Sequence, residues 1–355
     1  MKKYLVTGCA GFIGSNFVHY MLDKYEDILL INLDKLTYAG NLENLQDIEG
    51  DSRHIFVQGD ICDKALVSSL LEQYDPDFVI NFAAESHVDR SIKNPEIFVE
   101  TNVMGTVNLL QCCKEAWYDV KLKTWKEGKK YLQVSTDEVY GALGADGFFT
   151  ETTPLCPHSP YSASKTSADL FVRAFHDTYG MPVNITRCSN NYGPYQFPEK
   201  LIPLLIYNAK DHKTLPVYGD GLQIRDWLYV MDHCKAIDMV AENGRDGEVY
   251  NVGGHNERTN IFIVKTVITE LHDRLQDEGI SEELIKHVED RLGHDRRYGI
   301  DPTKIKDELG WFPETPFEKG IVLTIDWYLA HSEWMSHVTS GDYRTYFEKM
   351  YGDKL

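Results

Sequence analysis

The sequence predicts an α/β fold: a doubly wound parallel sheet with a smaller substrate-binding lobe toward the C-terminus. Three observations predict it. The first half alternates short β-branched runs with longer helical patterns, and strands alternating with helices imply a parallel sheet covered on both faces by right-handed crossovers. A glycine-rich turn joins the first of these strands to the first helix. After about Asn190 the alternation breaks up into a stretch, 191–200, rich in Pro, Gly and aromatics.

Taken in order, residues 3–7 read as the first strand and 13–25 as the helix behind it. Further strands follow at 28–33, 55–57, 78–82, 131–135 and 183–186, separated by helices at 64–74, 95–117 and 161–179. In the second half, helices near 201–209, 232–242, 261–275 and 316–329 flank short strands at 223–229 and 248–252. There is no internal repeat and no low-complexity linker.

Composition narrows the function. A net charge of −19 repels nucleic acid and anionic membrane, so neither is expected as a partner. No run approaches the roughly 20 apolar residues that span a bilayer, and the apolar stretch after Met1-Lys2-Lys3 is too short for a signal peptide. The seven cysteines are odd in number and scattered, without C-x-x-C or zinc spacing. Reduced thiols in the cytoplasm and no bound metal are the expectation. An anionic substrate would need a local basic pocket in so acidic a protein.

The glycine run is Gly8-Cys9-Ala10-Gly11-Phe12-Ile13-Gly14. Gly8 permits the tight turn, Gly11 lets the backbone approach a pyrophosphate, and Gly14 lets the helix pack on the sheet. The helix N-terminus then offers free N–H groups to phosphates. This is a Rossmann-type dinucleotide site. Asp34 ends the second strand, where a carboxylate accepts from ribose hydroxyls and repels a 2′-phosphate, which favours NAD over NADP. The division expected is an NAD-binding domain over 1–190 and a mainly substrate-binding lobe over 191–355, with 223–253 returning to the first.

Tyr161 and Lys165 lie four apart and share one helix face. An ammonium beside a phenol lowers the phenol pKa, so this pair is expected to take the proton of a hydroxyl whose carbon gives up hydride. Thr136-Asp137-Glu138 follows a strand and so sits at the carboxyl edge of the sheet, where ligands bind. Oxidation alone needs no adjacent acids; Asp137 and Glu138 suggest further proton transfers.

The glycine run with Tyr161 and Lys165 resembles the extended short-chain dehydrogenases/reductases. Asp34–Leu42, Ala83–Ser91, Ser135–Gly141, Cys188–Pro194 and Ile224–Trp227 carry the resemblance further, to the dTDP-glucose 4,6-dehydratase family, from residue 1 through Trp327. The resemblance implies a homodimer acting on dTDP-glucose with NAD, and catalytic roles for Thr136, Asp137, Glu138, Tyr161 and Lys165. It implies cofactor contacts from Gly8, Gly11, Phe12, Ile13, Gly14, Asp34, Lys35, Leu36, Thr37, Asp60, Ile61, Phe82, Ala83, Ala84, Glu85, Ser86, Thr101, Tyr161, Lys165 and Asn191. For the substrate it implies Ser86, Thr136, Asn190, Lys200, Leu201, Pro216, Val217, Tyr218, Arg225, Asn260, Asp290, Arg291, Leu292, Gly293 and His294. Arg225, Arg291, His294, Arg296 and Arg297 are the basic groups available for a diphosphate. Two departures from the family are Cys9 in place of Gly and Leu292 in place of Pro; the segment 141–151 also looks short. The rival readings are a nucleotide-sugar 4-epimerase, a 4,6-dehydratase of another nucleotide sugar, and a non-catalytic dinucleotide sensor.

Overall fold

The computed structural model describes residues 1–290 and 292–340; Arg291 and the end of the expected second lobe, 341–355, lie outside the described residues. In chain order the strands are β1 (Lys2–Thr7), β2 (Ile28–Asp34), β3 (His54–Gln58), β4 (Phe78–Asn81), β5 (Tyr118–Asp119), β6 (Thr124–Trp125), β7 (Lys130–Thr136), β8 (Val183–Cys188), β9 (Asn190–Tyr192), β10 (Leu215–Tyr218), β11 (Ile224–Tyr229), β12 (Val249–Val252), β13 (Glu257–Thr259) and β14 (Ile285–Val288). The helices are α1 (Phe12–Lys24), α2 (Lys64–Tyr74), α3 (Val88–Lys93), α4 (Glu96–Phe98), α5 (Gly105–Trp117), α6 (Pro160–Tyr179), α7 (Leu201–Lys210), α8 (Val230–Asn243), α9 (Asn260–Leu275), α10 (Thr303–Leu309), α11 (Phe317–Ala330) and α12 (Ser332–Val338).

Seven parallel strands form the main sheet in the order β12-β8-β7-β4-β1-β2-β3. Strand β1 shows why both faces are covered. Tyr4 and Val6 point into one core with Phe17 and Val18 of α1 and Ile237 and Val240 of α8. Leu5 points the other way, into a core with Leu70 of α2, Leu109 of α5 and Val172 of α6. A strand buried on both faces reads as a continuous apolar run, as Tyr4-Leu5-Val6 does. The order reverses between β1 and β4, which opens a crevice beyond their carboxyl ends.

Of the 223–253 stretch, α8 and β12 lie on this sheet, whereas β11 pairs with β9 and β13. A separate core gathers Ile202 and Leu205 of α7, Val217 of β10, Ile263 and Val267 of α9, and Ile321 of α11. Strand β10 pairs with β14 beside it.

The stretch expected as one helix over 95–117 is interrupted. Between α4 and α5 the chain makes a π turn over Val99–Met104. One extra residue in a turn rotates the following side chains. It buries Asn102, whose Nδ2 donates to the Glu85 carbonyl (3.0 Å) and Ser164 Oγ (2.8 Å) while its Oδ1 accepts from the Glu85 amide (2.8 Å). Amphipathic spacing carries no mark of such an insertion.

Candidate active site

The turn after β1 is built as its glycines require. Gly8 has φ +70°, and a Cβ there would lie 2.6 Å from the Ala83 amide nitrogen; a Cβ on Gly14 would lie 2.2 Å from the Gly8 carbonyl oxygen. So β1, the chain after β4 and α1 approach more closely than any side chain allows. Gly11 caps α1 without a side-chain hydrogen bond. The first-turn amides have no partner within the helix, and Gly11, Phe12, Ile13 and Gly14 line one continuous cavity. That arrangement fits an anion such as a pyrophosphate.

The same cavity is lined by Asp34 at the end of β2 and Lys35 and Thr37 after it, Asp60 and Ile61 after β3, and Phe82, Ala83, Ala84, Glu85 and Ser86 after β4. Thr101, Asn190, Asn191 and Lys200 line it too, as do Thr136, Asp137, Glu138, Tyr161 and Lys165. The two groups of residues singled out for cofactor and chemistry thus share one crevice at the reversal of strand order. Leu36 does not line it; it takes a left-handed conformation, φ +56°, in the loop beside it. Asp34 accepts from the amides of Ala10 (2.9 Å) and Leu36 (2.8 Å), which ties the glycine turn to that loop. Burial pushes its pKa up despite those bonds. Lys35 pairs with Asp60 at 2.7 Å.

Thr136 caps a short 3-10 turn, Asp137–Tyr140, accepting from the Glu138 amide at 3.3 Å and donating to Asp137 Oδ1 at 3.3 Å. This turn carries both carboxylates. Asp137 is 1% exposed and its Oδ2 has no partner. Burial, then the charges of Glu138 and Asp226, push its pKa well above the ordinary carboxylate value, with Arg225 opposing. The surroundings of Asp137 thus favour its protonated form, the form that can donate a proton. Glu138, its neighbour, is partly exposed.

Tyr161 and Lys165 lie at the start of α6, set by a capping box between Ser159 and Ser162. The Tyr161 phenol differs from expectation. Burial and the nearby Glu138 and Cys188 push its pKa well above 10, with a Thr136 hydrogen bond opposing. Lys165 does not offset this burden: its ammonium donates to the Val134 carbonyl at 2.8 Å, and burial lowers its pKa. The spacing rule places both on one face but does not say where a long side chain ends.

The residues expected to hold the nucleotide lie apart from the cavity lining. Tyr218 ends β10, with its ring 6.2 Å from that of His294. Asp290 accepts from Gln223 (2.9 Å) and bonds His294 (2.6 Å). The Asn260 amide donates to the Gln223 carbonyl at 3.0 Å. Arg225 is buried, 4.2 Å over the Tyr298 ring, and donates to the Asp295 carbonyl. Tyr218, Asn260, Asp290 and His294 thus come together through Gln223. Pro216 and Val217 are buried, Val217 in the second core. Leu201 opens α7 and packs against that core. Leu292 is 77% exposed beside Gly293, which has φ +66°. Two of the expected arginines are, like His294, engaged by acids: Arg296 by Asp220 (2.8 Å) and Arg297 by Glu257 (2.8 Å).

Sequence reasoning missed several cavity residues. Glu199 and Gln196 line it, both buried, each with one oxygen without a partner. Burial raises Glu199 to about 7. His233 bonds Asn191 at 2.9 Å and is pushed down to about 3 by burial. Only the density of polar residues in 196–200 could have pointed to the first two; His233, behind the cavity lining in the first turn of α8, carried no signal. Among the described residues no cluster of His, Cys, Asp and Glu could hold a metal ion, and no helix is long and apolar enough to cross a membrane.

Comparison with known proteins agrees with this fold. The family model for GDP-mannose 4,6 dehydratase matches residues 5–324. A dTDP-glucose 4,6-dehydratase of Xanthomonas campestris pv. campestris is 56% identical over 97% of this chain and 98% of its own. That of Salmonella typhimurium is 50% identical over 98% of this chain and 99% of its own. Among solved structures, the dTDP-glucose 4,6-dehydratase of Bacillus anthracis in complex with NAD superposes with a TM-score of 0.85 at 50% identity, covering 95% of this chain and 100% of that one. A UDP-glucose 4-epimerase of Thermotoga maritima superposes at 0.80 but is 28% identical, covering 92% and 99%. By its sequence throughout and by its fold, the chain belongs to the GDP-mannose 4,6 dehydratase family, alongside the dTDP-glucose 4,6-dehydratases.

Proposed function

We propose that this protein is an NAD-dependent hydro-lyase that converts dTDP-glucose to dTDP-4-keto-6-deoxyglucose and water. What carries the reading is the pairing, in one cavity, of a buried carboxyl at Asp137 and a second carboxyl at Glu138 with the Tyr161/Lys165 helix. A 4-epimerase has no need of the two acids, and a dinucleotide sensor has no need of Tyr161 and Lys165. The close relatives named for dTDP-glucose favour that substrate over GDP-mannose.

The residues fit NAD: Gly11–Gly14 at the pyrophosphate, Asp34 at the adenosine ribose, and Tyr161 and Lys165 at the nicotinamide end. Bound there, NAD would supply the acceptor for a hydride from C4 of the sugar and, once reduced, the hydride for C6. Tyr161 takes the C4 hydroxyl proton, with Thr136 holding that oxygen. The ketone at C4 acidifies C5–H, and Glu138 removes that proton. Asp137, whose protonated form burial favours, protonates the departing C6 hydroxyl, and a proton returns to C5. Tyr218, Arg225, Asn260 and His294 hold the thymidine diphosphate.

The same reading makes the protein a cytoplasmic homodimer. Val99 and Met104 on the interrupted helix and Leu170 and Phe171 on α6 are exposed apolar side chains on adjoining helices, a surface that a second copy would cover. We keep the division 1–190 and 191–355, with α8 and β12 belonging to the first part. Incubation with dTDP-glucose tests the activity. A 4-keto-6-deoxy product supports it; a C4 epimer, or unchanged substrate with active NAD-loaded protein, overturns it.

A further inference from the structure

Two adjacent side chains of α3 reach to opposite ends of the site. Asp89, 7% exposed, accepts from the Tyr218 hydroxyl at 3.2 Å, at the end of β10. Arg90 lays its guanidinium over the Tyr38 ring, 3.5 Å from the centroid. Tyr38 belongs to the loop after β2, whose Lys35, Thr37, Ala39 and Gly40 line the cavity. From there its hydroxyl donates to Glu199 Oε1 at 3.0 Å, while Lys200 next door donates to the Ser86 carbonyl at 2.9 Å, just before α3. So α3 touches the dinucleotide loop with one residue and the nucleotide strand with the next. Neither residue lines the cavity, and the chemistry described above uses neither.

We infer that Asp89 and Arg90 are positioning residues that couple the dinucleotide end of the site to the nucleotide-sugar end, so that a ligand at one end tightens the other. The inference rests on the reading of Tyr218 as part of the nucleotide subsite. Its physical basis is the cost of ordering the loops. The loop after β2 holds Leu36 at a left-handed φ of +56°, a conformation that a non-glycine residue keeps only when its surroundings hold it. Arg90 stacked on Tyr38 supplies such a hold, and its charge also opposes the burial that raises Glu85 and Glu199. Whichever ligand binds first fixes α3 and its two tyrosines; the second then binds to a surface already ordered. Coupling of this kind is reciprocal, so it is readable from either ligand.

The test is the dissociation constant of NAD, with and without saturating dTDP, for the parent protein, Arg90→Lys, Asp89→Ala and Tyr218→Phe. Arg90→Lys keeps the charge facing Glu85 and Glu199 but loses the planar stack. Tyr218→Phe removes the Asp89 bond from the other side, should Asp89→Ala fold poorly. In the parent, dTDP tightens NAD by about tenfold, within the usual range for coupled sites. In each variant the factor falls below about threefold, and a general loss of stability alone would not shrink a ratio. Calorimetric titration of dTDP onto the NAD-loaded parent separates the ways of failing. If dTDP binds but leaves NAD affinity unchanged, the coupling is overturned and the nucleotide reading stands. If it does not bind, both fall. Variants that keep the parent's full factor overturn the assignment to α3.

Discussion

Lys165 donates to the Val134 carbonyl at 2.8 Å from the same helix face that presents Tyr161 to the cavity. The ammonium is thus pinned at the end of β7, and the phenol stays protonated under its burden of burial and Glu138. A base whose pKa is raised works only toward higher pH, and removing a nearby cation raises it further. Lys165→Met should therefore slow substrate oxidation by ~10²-fold or more and move the acidic limb of its pH profile upward. Single-turnover cofactor absorbance across pH checks this; an unmoved limb would leave Lys165 a purely structural tie.

Asp137→Asn and Glu138→Gln should separate oxidation from elimination. Both are near-isosteric and leave Tyr161, Lys165 and Thr136 in place. Loss of an acid or base in the elimination costs ~10²–10⁴-fold, about 3–5 kcal/mol of barrier, and the two losses need not add. Rapid mixing should show reduced cofactor and a 4-keto-hexose accumulating on either variant, whereas Tyr161→Phe should form neither. Near wild-type dehydration by both carboxylate variants would falsify the assignment.

The hydride should travel within one sugar. With substrate deuterated at C4 in ordinary water, deuterium should appear at C6 of the product; in deuterated water, solvent label should appear at C5. Mass spectrometry of the product decides, and washout of the C4 label would defeat the mechanism.

Asp34 serves two backbone amides, so its replacement has a structural cost as well as any effect on the ribose. Asp34→Ala leaves the Ala10 and Leu36 amides without their acceptor, about 1–3 kcal/mol for each one left buried. It should also weaken NAD more than NADP. Melting temperature and separate titrations of the two cofactors report the two effects; equal losses for both cofactors would remove Asp34 from the ribose site.

His233 gives the fold a pH dependence. Its folded pKa of about 3 lies below the ordinary histidine value. The unfolded chain therefore takes up a proton near pH 6.5 that the folded protein refuses, and stability falls as pH drops through that window. Between pH 7 and 5 the loss from this residue is about 2 kcal/mol. His233→Gln, which keeps a donor for Asn191, should flatten that part of the profile in urea unfolding; an unchanged slope would show that other groups govern it.

The sheet was largely legible in the sequence because its strands are buried on both faces and stand out as apolar runs, as Ile28–Leu33 does. The glycine turn was legible because contacts such as Gly14 against the Gly8 carbonyl admit no other residue. Harder to see was anything set by where a long side chain ends. Lys165 reaches Val134, Arg296 reaches Asp220 and Arg297 reaches Glu257, and residue type alone gives no sign of these partners. Short strands such as β9 and β13 escaped notice because a three-residue segment has no period to detect. Asn102 was hidden because one polar residue within a helical run gives no sign of the π turn that buries it.

One feature of the topology bears on how the chain is made. Strand β12 closes the main sheet against β8, yet sixty residues separate them in the chain, much of the other core among them, so the ribosome delivers β8 well before its neighbour. Until residue 252 has emerged, a nascent chain presents the unpaired amides and carbonyls of β8 as an open edge, a template for strands of other chains. Truncation before β12 should yield insoluble protein even though every residue of the glycine turn and of the helix carrying Tyr161 and Lys165 is present, and a chaperone that shields β-edges has its period of greatest use during that interval of synthesis.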